Sequence, residues 1–543
     1  MRPELSIVIS VRDNWRQLAE CIDSIANQNA PPRLEVVVID DGSKTPLPAR
    51  AVDSMRHIQL RVLRQTSLGI AAARNRGLEL TKAELIVFVD SDCLLERNCL
   101  KNLVEATKYH TDDIAFQFSV SSLERTLVQQ IEALRLRSVQ ESLLLQSGHI
   151  LYANTSGLAF RSSYVMQSED FFDVSVVRGS DTLKLAQLIR QGKAPRFLSQ
   201  CKVFHCPESS FAKYTLKCFR VGYHDSYSHE KLKASGGVLL GWTHKYQALK
   251  RTRLMTRWNT DLIRCAVSAL FSFSIEKLGR ATSRIVGIHF LKTKLLSVRM
   301  DVIRRSELIY RIVTSAARHR SLCVSYANAW TLVQAQKLGS FQSLLNSADI
   351  CFADGVGVKL AAILLNQPRV RKITFNDVIF DLCRELANRN LSIALIGGRD
   401  AISREASATI SKAVPHLNVV LQSSGYFSPA EEELLKIELL KWKPNVILIG
   451  MGQPRQEDWA VTIRPLLPES VLCCVGGLFD YLAAPRGWAT FARRFGLEWA
   501  YRLCSCPKKT ARRYLFGIPM LFGYITMEQA RRATRFVLRP RLF

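Results

Sequence analysis

This sequence predicts two α/β domains separated by a basic, helical stretch, and three observations support that. Glu84-Leu-Ile-Val-Phe-Val-Asp-Ser-Asp-Cys93 reads as a buried strand ending in two carboxylates, Asp90 and Asp92. Strand and helix patterns alternate around it through residue 225. A second alternation starts near residue 321 and carries three glycine turns, each directly after an apolar run. Alternating β and α patterns of this kind build a mostly parallel sheet covered by helices.

The chain has 543 residues, too many for one ordinary domain but enough for two or three with real cores. A hydrophobic content of 48% excludes a disordered chain, and 18 Pro with 27 Gly exclude a low-complexity one. None of the 14 Cys has zinc spacing: Cys473-Cys474 adjoin in an apolar run and Cys504-x-Cys506 lacks a second pair. Reduced thiols of a cytosolic protein explain them better than a disulfide framework. The net charge of +28 favours polyanionic partners. Without a zinc finger, an aromatic RNA-binding strand or a helix-turn-helix pattern, nucleic acid is not expected. Anionic lipid and diphosphate substrates are. The opening strand, with Glu4 before it, is no signal peptide. Cys265 to Ile275, the longest apolar run, is about half a bilayer span. The expected location is therefore cytoplasmic, at the inner face of the plasma membrane.

Leu5 to Val11 predicts the first strand, and Leu18, Cys21, Ile22 and Ile25 a helical stripe after it. Glu35 to Ile39 is a second strand, ending in Asp40-Asp41-Gly42-Ser43. A helix from Gly69 carries Arg74 and Arg76, and the strand into Asp90 follows. Ligands of open α/β sheets bind at the carboxyl ends of the strands. Asp41 is placed there to hold a base or ribose, and Asp90 with Asp92 to hold Mg²⁺ or Mn²⁺ and a diphosphate. A solvated turn is the plainer reading of the same carboxylates. Leu123 to Leu145 has a long helical pattern expected to form part of an acceptor side. Asp181 opens another helix, where it is either an N-cap or a base for an acceptor hydroxyl. His205 is a metal or phosphate ligand, or a packed polar residue.

On these residues the region resembles the family 2 glycosyltransferases of the nucleotide-diphospho-sugar transferase fold. The resemblance rests on Asp40-Asp41-Gly42-Ser43, Gly69 to Gly77, Asp90-Ser-Asp92, Gly157 to Arg161, Phe172-Asp173, Gly179-Ser-Asp181 and His205. It implies inverting transfer with Asp41 and Ser10 at the base, Arg74 at the diphosphate, Asp90, Asp92 and His205 at a divalent metal, and Asp181 as the catalytic base. Ser180 stands where the family usually has Glu, and Arg12 where an aromatic is common.

From 226 to 320 the sequence reads as a helical, basic connecting region, with Lys250, Arg251, Arg253, Arg257, Lys277, Arg280 and Arg284 around an apolar stripe. Lys292, Lys294, Arg299, Arg304 and Arg305 continue it. Such interleaving suits an interfacial helix or a linker bundle with a solvated face.

Beyond 321, Leu391 to Gly398, Pro444 to Gly450 and Val471 to Gly477 each read as a strand entering a glycine turn. Free N–H groups at such turns can cradle a diphosphate. Asp354, between Ala353 and Gly355, is the best candidate base; Asn328 and Asp377 are further polar residues in apolar surroundings. Each also suits a plain role in satisfying buried backbone. This region resembles the family 26 glycosyltransferases, which attach N-acetylmannosamine or related sugars to lipid-linked acceptors. The resemblance rests on Asn328, Asp354-Gly355-x-Gly357, Asp377, Gly397-Gly398, Gly425-Tyr-Phe427, Gly450-x-Gly-x-Pro-x-Gln-Glu457, Gly476-Gly-x-Phe-Asp480 and Tyr501-Arg502-Leu503. It implies a doubly wound domain over 321–507, with Asp354 as the base of a metal-independent inverting transfer and Asn328, Asp377, Gln456 and Arg502 binding donor or acceptor. Tyr326 and Phe375 are bulkier than the family's usual residues and are expected to reshape the sugar pocket.

In the tail, 508–543, basic residues alternate with Leu515, Phe516, Ile518, Leu521, Phe522 and Ile525. That pattern suits docking on an anionic leaflet, or packing on the domain, or both. The expectation for the whole chain is a bifunctional glycosyltransferase. It would use nucleotide-diphospho-sugars and a polyprenyl-diphosphate-linked acceptor, beside other polysaccharide assembly enzymes. The alternative is one active domain and one degenerate one.

Overall fold

The computed structural model describes residues 3–48, 59–206, 210–234, 274–278, 281–282, 292–367, 370–484 and 515–537. Two compact units emerge, Met1–His289 and Phe290–Phe543.

The first unit is built on eight strands: β1 (Leu5–Val11), β2 (Leu34–Asp41), β3 (Gln59–Gln65), β4 (Leu85–Asp90), β5 (Cys93–Leu95), β6 (Ala115–Ser122), β7 (Leu158–Arg161) and β8 (Arg196–His205). Their order is β3-β2-β1-β4-β7-β6-β8-β5. The four strands β3, β2, β1 and β4 run parallel, as the alternation predicts, whereas β7 is antiparallel to both of its neighbours. The sheet is therefore mixed. Ile7, Ile9, Val36, Val38, Val87 and Val89 bury one face against Leu18, Cys21, Ile22 and Ile25 of helix Trp15–Ala26 and Leu100 and Leu103 of helix Cys99–Tyr109. Val37 and Ile39 face the other way, against Ala73 of helix Ile70–Leu78. Both faces of the central strands are covered, which is why they read as continuous apolar runs.

The second unit opens with a hairpin, β9 (Lys292–Leu295) and β10 (Val298–Asp301), before helix Arg305–Ala317. This corrects the helical expectation for the end of 226–320. Thr293, Leu295, Val298 and Met300 follow strand periodicity, and the cationic run concealed it. Residues 235–273, with the basic stripe around Trp258, lie outside the described residues. A six-stranded parallel sheet follows, made of β11 (Leu322–Ala327), β12 (Ile350–Ala353), β13 (Ser392–Gly397), β14 (Asn418–Ser423), β15 (Val446–Gly450) and β16 (Val471–Cys474). Its order, β12-β11-β16-β15-β13-β14, reverses direction between β12 and β13, as in a doubly wound fold. Helix Gly517–Val537 buries Leu521 and Ile525 against Leu332, Val333 and Val358 of this unit, so the packed reading of the tail holds for these residues. Among the described residues no helix is long and apolar enough to cross a membrane.

Candidate active sites

In the first unit, register brings the predicted residues together. Ser10 of β1 lies opposite Asp90 of β4, and Val11 opposite Asp40 of β2, so the carboxyl ends of three parallel strands share one edge. Arg74 is buried below that edge and donates to Asp90 Oδ1 at 2.7 Å, while Ser156 Oγ donates to Asp90 Oδ2 at 2.9 Å. The Arg74 guanidinium also lies 5.7 Å from the Phe172 ring. Phe172 in turn is clamped through both its backbone groups by the Asn75 amide, at 2.8 and 2.9 Å. Asp92 Oδ2 stands 3.2 Å from His205 Nε2 at the end of β8. Burial pushes the Asp92 carboxyl up, but the His205 charge and hydrogen bond outweigh it and hold it below its ordinary value. The reading of His205 as an isolated packed residue is therefore replaced by an acid–imidazole pair.

Asp41, expected at the base, is held by donors from the end of β3 and the loop that follows it. It is buried, and its carboxylate accepts from Gln65 Nε2 at 2.9 Å, Leu68 N–H at 2.8 Å and Gly69 N–H at 3.0 Å. It fixes the loop into helix Ile70–Leu78. Asp181 is not the N-cap. The helix spans Ser180–Arg190 and is capped at Gly179, whose φ of 82° suits glycine. Asp181 sits in the first turn and accepts from the Thr182 N–H at 2.8 Å. Burial pushes its carboxyl above the ordinary value; Arg74 opposes this and Asp90 adds to it, which places Asp181 in the same electrostatic neighbourhood.

In the second unit, β11 and β12 are in register at Ala327 and Ala353, and the Asp354 N–H donates to the Ala327 carbonyl at 2.9 Å. Asn328 and Asp354 thus follow neighbouring strands. Segment 372–374 runs parallel beside Ala353, and Ile373 N–H donates to the Ala353 carbonyl at 2.9 Å. That brings Asp377 to the same edge, ion-paired with Arg305 at 2.8 Å. Arg305, which the sequence reading placed in a basic stripe, is thereby held beside that edge. The Asn328 side chain caps helix Ala329–Lys337 through the Thr331 N–H at 3.0 Å, with Thr331 reciprocating.

Gln456, expected beside donor or acceptor, has its side-chain amide engaged within the protein. It is fully buried, its carbonyl accepts from the Gly476 N–H at 3.0 Å, and its amide donates to Glu457 at 2.8 Å. Glu457 Oε1 also accepts from Ser325 Oγ at 3.0 Å and Gln453 Nε2 at 2.9 Å. Burial pushes the Glu457 carboxyl up against those donors. Gln453 further receives the Thr331 hydroxyl and donates to the Tyr326 carbonyl at 2.9 Å. This network ties the β15 turn to the Asn328 cap. Arg502 lies outside the described residues.

The three glycine turns do not form one cradle. A Cβ at Gly397 would meet Gly450 O at 2.5 Å and the Phe479 ring at 2.6 Å, and one at Gly450 would meet Gly476 O and Phe479 at 3.0 Å. These glycines let strand ends and Phe479 pack together. Gly355 and Gly452, with φ of 89° and 81°, have open space where a Cβ would be. Their positive φ suits glycine, and the space beside them is open. Tyr326 and Phe375 are buried on either side of Phe352, with ring centroids 6.3 and 5.4 Å from it. Both rings are buried, and the Tyr326 hydroxyl lies where a Cβ on Gly476 would stand. Gly397→Ala is expected to destabilise the second unit by about 1–3 kcal/mol, because the obstructing atoms are backbone. A chemical denaturation curve monitoring that unit checks this.

Residues 6–164 match the glycosyl transferase family 2 model, and residues 293–535 match that of the glycosyl transferase WecG/TagA/CpsF family. The chain carries two glycosyltransferase domains. The second has relatives named N-acetylglucosaminyldiphosphoundecaprenol N-acetyl-beta-D-mannosaminyltransferase. That of Staphylococcus aureus strain MRSA252 is 28% identical over 234 residues, 42% of this chain and 90% of that protein. That of strain MW2 is 27% identical over 233 residues. Among solved structures, S. aureus TarS aligns at 20% identity with a TM-score of 0.32, over 46% of this chain and only 42% of TarS. The mannosyltransferase PcManGT from Pyrobaculum calidifontis, solved with GDP-Man and Mn²⁺, aligns at 20% identity with a TM-score of 0.34, over 53% of this chain and 80% of that one.

Proposed function

We propose that the chain extends a polyprenyl-diphosphate-linked acceptor by two sugars in turn, the C-terminal domain acting first. One observation carries this reading: each unit presents carboxylates at the carboxyl edge of its own parallel strands, inside a region matched to a different transferase family. The relatives of the second domain act, by their names, on a diphosphoundecaprenol bearing one sugar, and add N-acetylmannosamine to it. The first domain then supplies the next sugar. A shared lipid substrate held near both domains raises the effective concentration of the intermediate.

In the second domain Asp354 is the base. It accepts the proton of the acceptor hydroxyl as that oxygen attacks the anomeric carbon and the nucleoside diphosphate leaves with inversion. Asn328 and Asp377 flank it, and Gly355 and Gly452 leave room for donor atoms. In the first domain Asp181 takes the same role, and Arg74 offers positive charge to the diphosphate. The half-buried Asp92–His205 pair, a carboxylate oxygen beside imidazole Nε2, offers donors that fit a divalent cation, and Asp90 stands two residues away on the same turn. Among the described residues no group of three such side chains converges as the chain stands, because Asp90 is engaged by Arg74 and Ser156. Asp90, Asp92 and His205 would hold Mg²⁺ or Mn²⁺, which would supply charge neutralisation for the departing diphosphate.

Exposed apolar residues support attachment to the membrane that bears the acceptor. Val356, Leu360 and Ile363, on the helix that starts just after Asp354-Gly355, are 57, 45 and 47% exposed. Ile518 and Phe522 of the tail helix are also exposed, and Arg531 and Arg532 lie about two and a half to four turns further on. Apolar residues framed by cations suit an interfacial surface.

The reading is tested with purified protein, a one-sugar lipid diphosphate and pooled nucleotide sugars. Two successive mass increments support it, and no increment from any donor overturns it. Asp181 gives a pH signature. An ionised base is required, so the first domain's kcat/KM falls as pH drops through the raised Asp181 pKa. Its acidic limb should therefore lie above that of an ordinary aspartate, about 3.9. Arg74→Met removes an opposing positive charge and is expected to move the limb to still higher pH, measured as the pH profile of kcat/KM on a preformed acceptor.

A further inference from the structure

We propose that Glu132 is a positioning residue that fixes the His205 ring for cation binding, an assignment that rests on the metal reading of Asp90, Asp92 and His205 above. Glu132 lies on helix Leu127–Leu143, whose Thr126 cap accepts from the Gln129 N–H. It is almost wholly buried, and its carboxylate receives Arg135 at 2.9 Å. Its Oε1 stands 4.0 Å from His205 Nδ1, on the side of the ring opposite to Asp92. His205 Nδ1 is buried and has no hydrogen-bond partner. The His205 backbone is held in the strand by pairing with Cys93 and by the Ser122 hydroxyl on its carbonyl at 2.9 Å.

The chemistry follows from the two ring nitrogens. A histidine that binds a cation through Nε2 keeps its proton on Nδ1, and a buried N–H needs an acceptor. Ligating histidines almost always donate that second N–H to a carboxylate, carbonyl or water. Glu132 is the carboxylate in place, and a shift of about 1 Å brings it to ordinary hydrogen-bond distance. Arg135, donating to the same carboxylate at 2.9 Å, holds it in place as an acceptor. Arg135 also approaches Glu276 at 3.9 Å, which anchors the guanidinium from a second side. The outcome is a fixed Asp92–His205–Glu132 line in which the ring cannot flip without losing both partners.

The test uses the full chain with UDP and Mn²⁺, reading free Mn²⁺ by electron paramagnetic resonance. Glu132→Gln, close in shape and still able to meet Arg135, is expected to weaken Mn²⁺ binding by about 10–100-fold. Glu132→Asp should recover part of that loss, whereas thermal melting of the metal-free variants reports folding separately. Unchanged Mn²⁺ affinity in folded Glu132→Gln, beside weakened binding in His205→Ala, overturns the role of Glu132 alone. Unchanged affinity in His205→Ala as well overturns the metal reading beneath it. A second readout needs no variant: ¹⁵N resonances of histidine-labelled wild type with Mg²⁺ and UDP should show His205 protonated at Nδ1. Protonation at Nε2 in that complex contradicts the proposal.

Discussion

Asp354→Asn is expected to reduce transfer to the one-sugar lipid acceptor by about 10²–10⁴-fold, the range for loss of a positioned general base. The substitution keeps the size of the side chain and leaves the Asp354 N–H free to donate to Ala327, so the β11–β12 edge should survive. Only the ability to accept a proton is removed. The loss should therefore appear in kcat, with a much smaller change in KM for donor, and melting should be near that of wild type. Chelation of divalent cations should leave the wild-type rate of this step unchanged. The variant should still extend a preformed two-sugar acceptor through the first domain, which separates a local chemical defect from a folding one.

Asp92→Asn combined with Asp90→Asn is expected to have the reverse pattern. Asp92 loses its charge beside His205, and Asp90 loses its pairing with buried Arg74. Addition of the second sugar should fall by at least about 10²–10³-fold, the magnitude typical when an electrostatic stabiliser is removed. The one-sugar acceptor should still receive its first increment. Asp92→Asn alone is the cleaner variant for stability, because Asp90→Asn leaves the Arg74 guanidinium buried with Phe172 and a neutral amide. Losing one partner of a buried ion pair costs about 3–5 kcal/mol. Steady-state rates on defined acceptors, with melting curves on both variants, check these expectations.

Local patterns carried most of the fold. The apolar runs at Leu5–Val11, Leu34–Asp41 and Leu85–Asp90 are strands because both faces are covered, and their terminal carboxylates were readable without any long-range information. The hairpin at Lys292–Asp301 was not read, because its three buried apolar positions, Leu295, Val298 and Met300, are interspersed with lysines and an arginine that resemble a solvated helix face. At the candidate sites, residue type and place in the chain were legible, but side-chain partners were not. The sequence puts Gln456 in a helix first turn but does not show its amide between Gly476 and Glu457. A glycine after a strand looks the same whether a phosphate or Phe479 fills the space beside it. Ser156, Arg305 and Glu132 were missed as partners of Asp90, Asp377 and His205, since each meets its partner only across the fold. The motif around Ser156 offered a signal; Glu132, one polar residue on an amphipathic helix, offered none.

The central claim is that one chain holds two separate transfer sites that act in order. Mass spectrometry of lipid-linked products formed by Asp354→Asn and by Asp181→Asn, each given the one-sugar acceptor and both donors, tests it most directly. The expected result is an unextended acceptor with Asp354→Asn and an acceptor carrying a single added sugar with Asp181→Asn. Identical products from the two variants, or two added sugars from either, would contradict it.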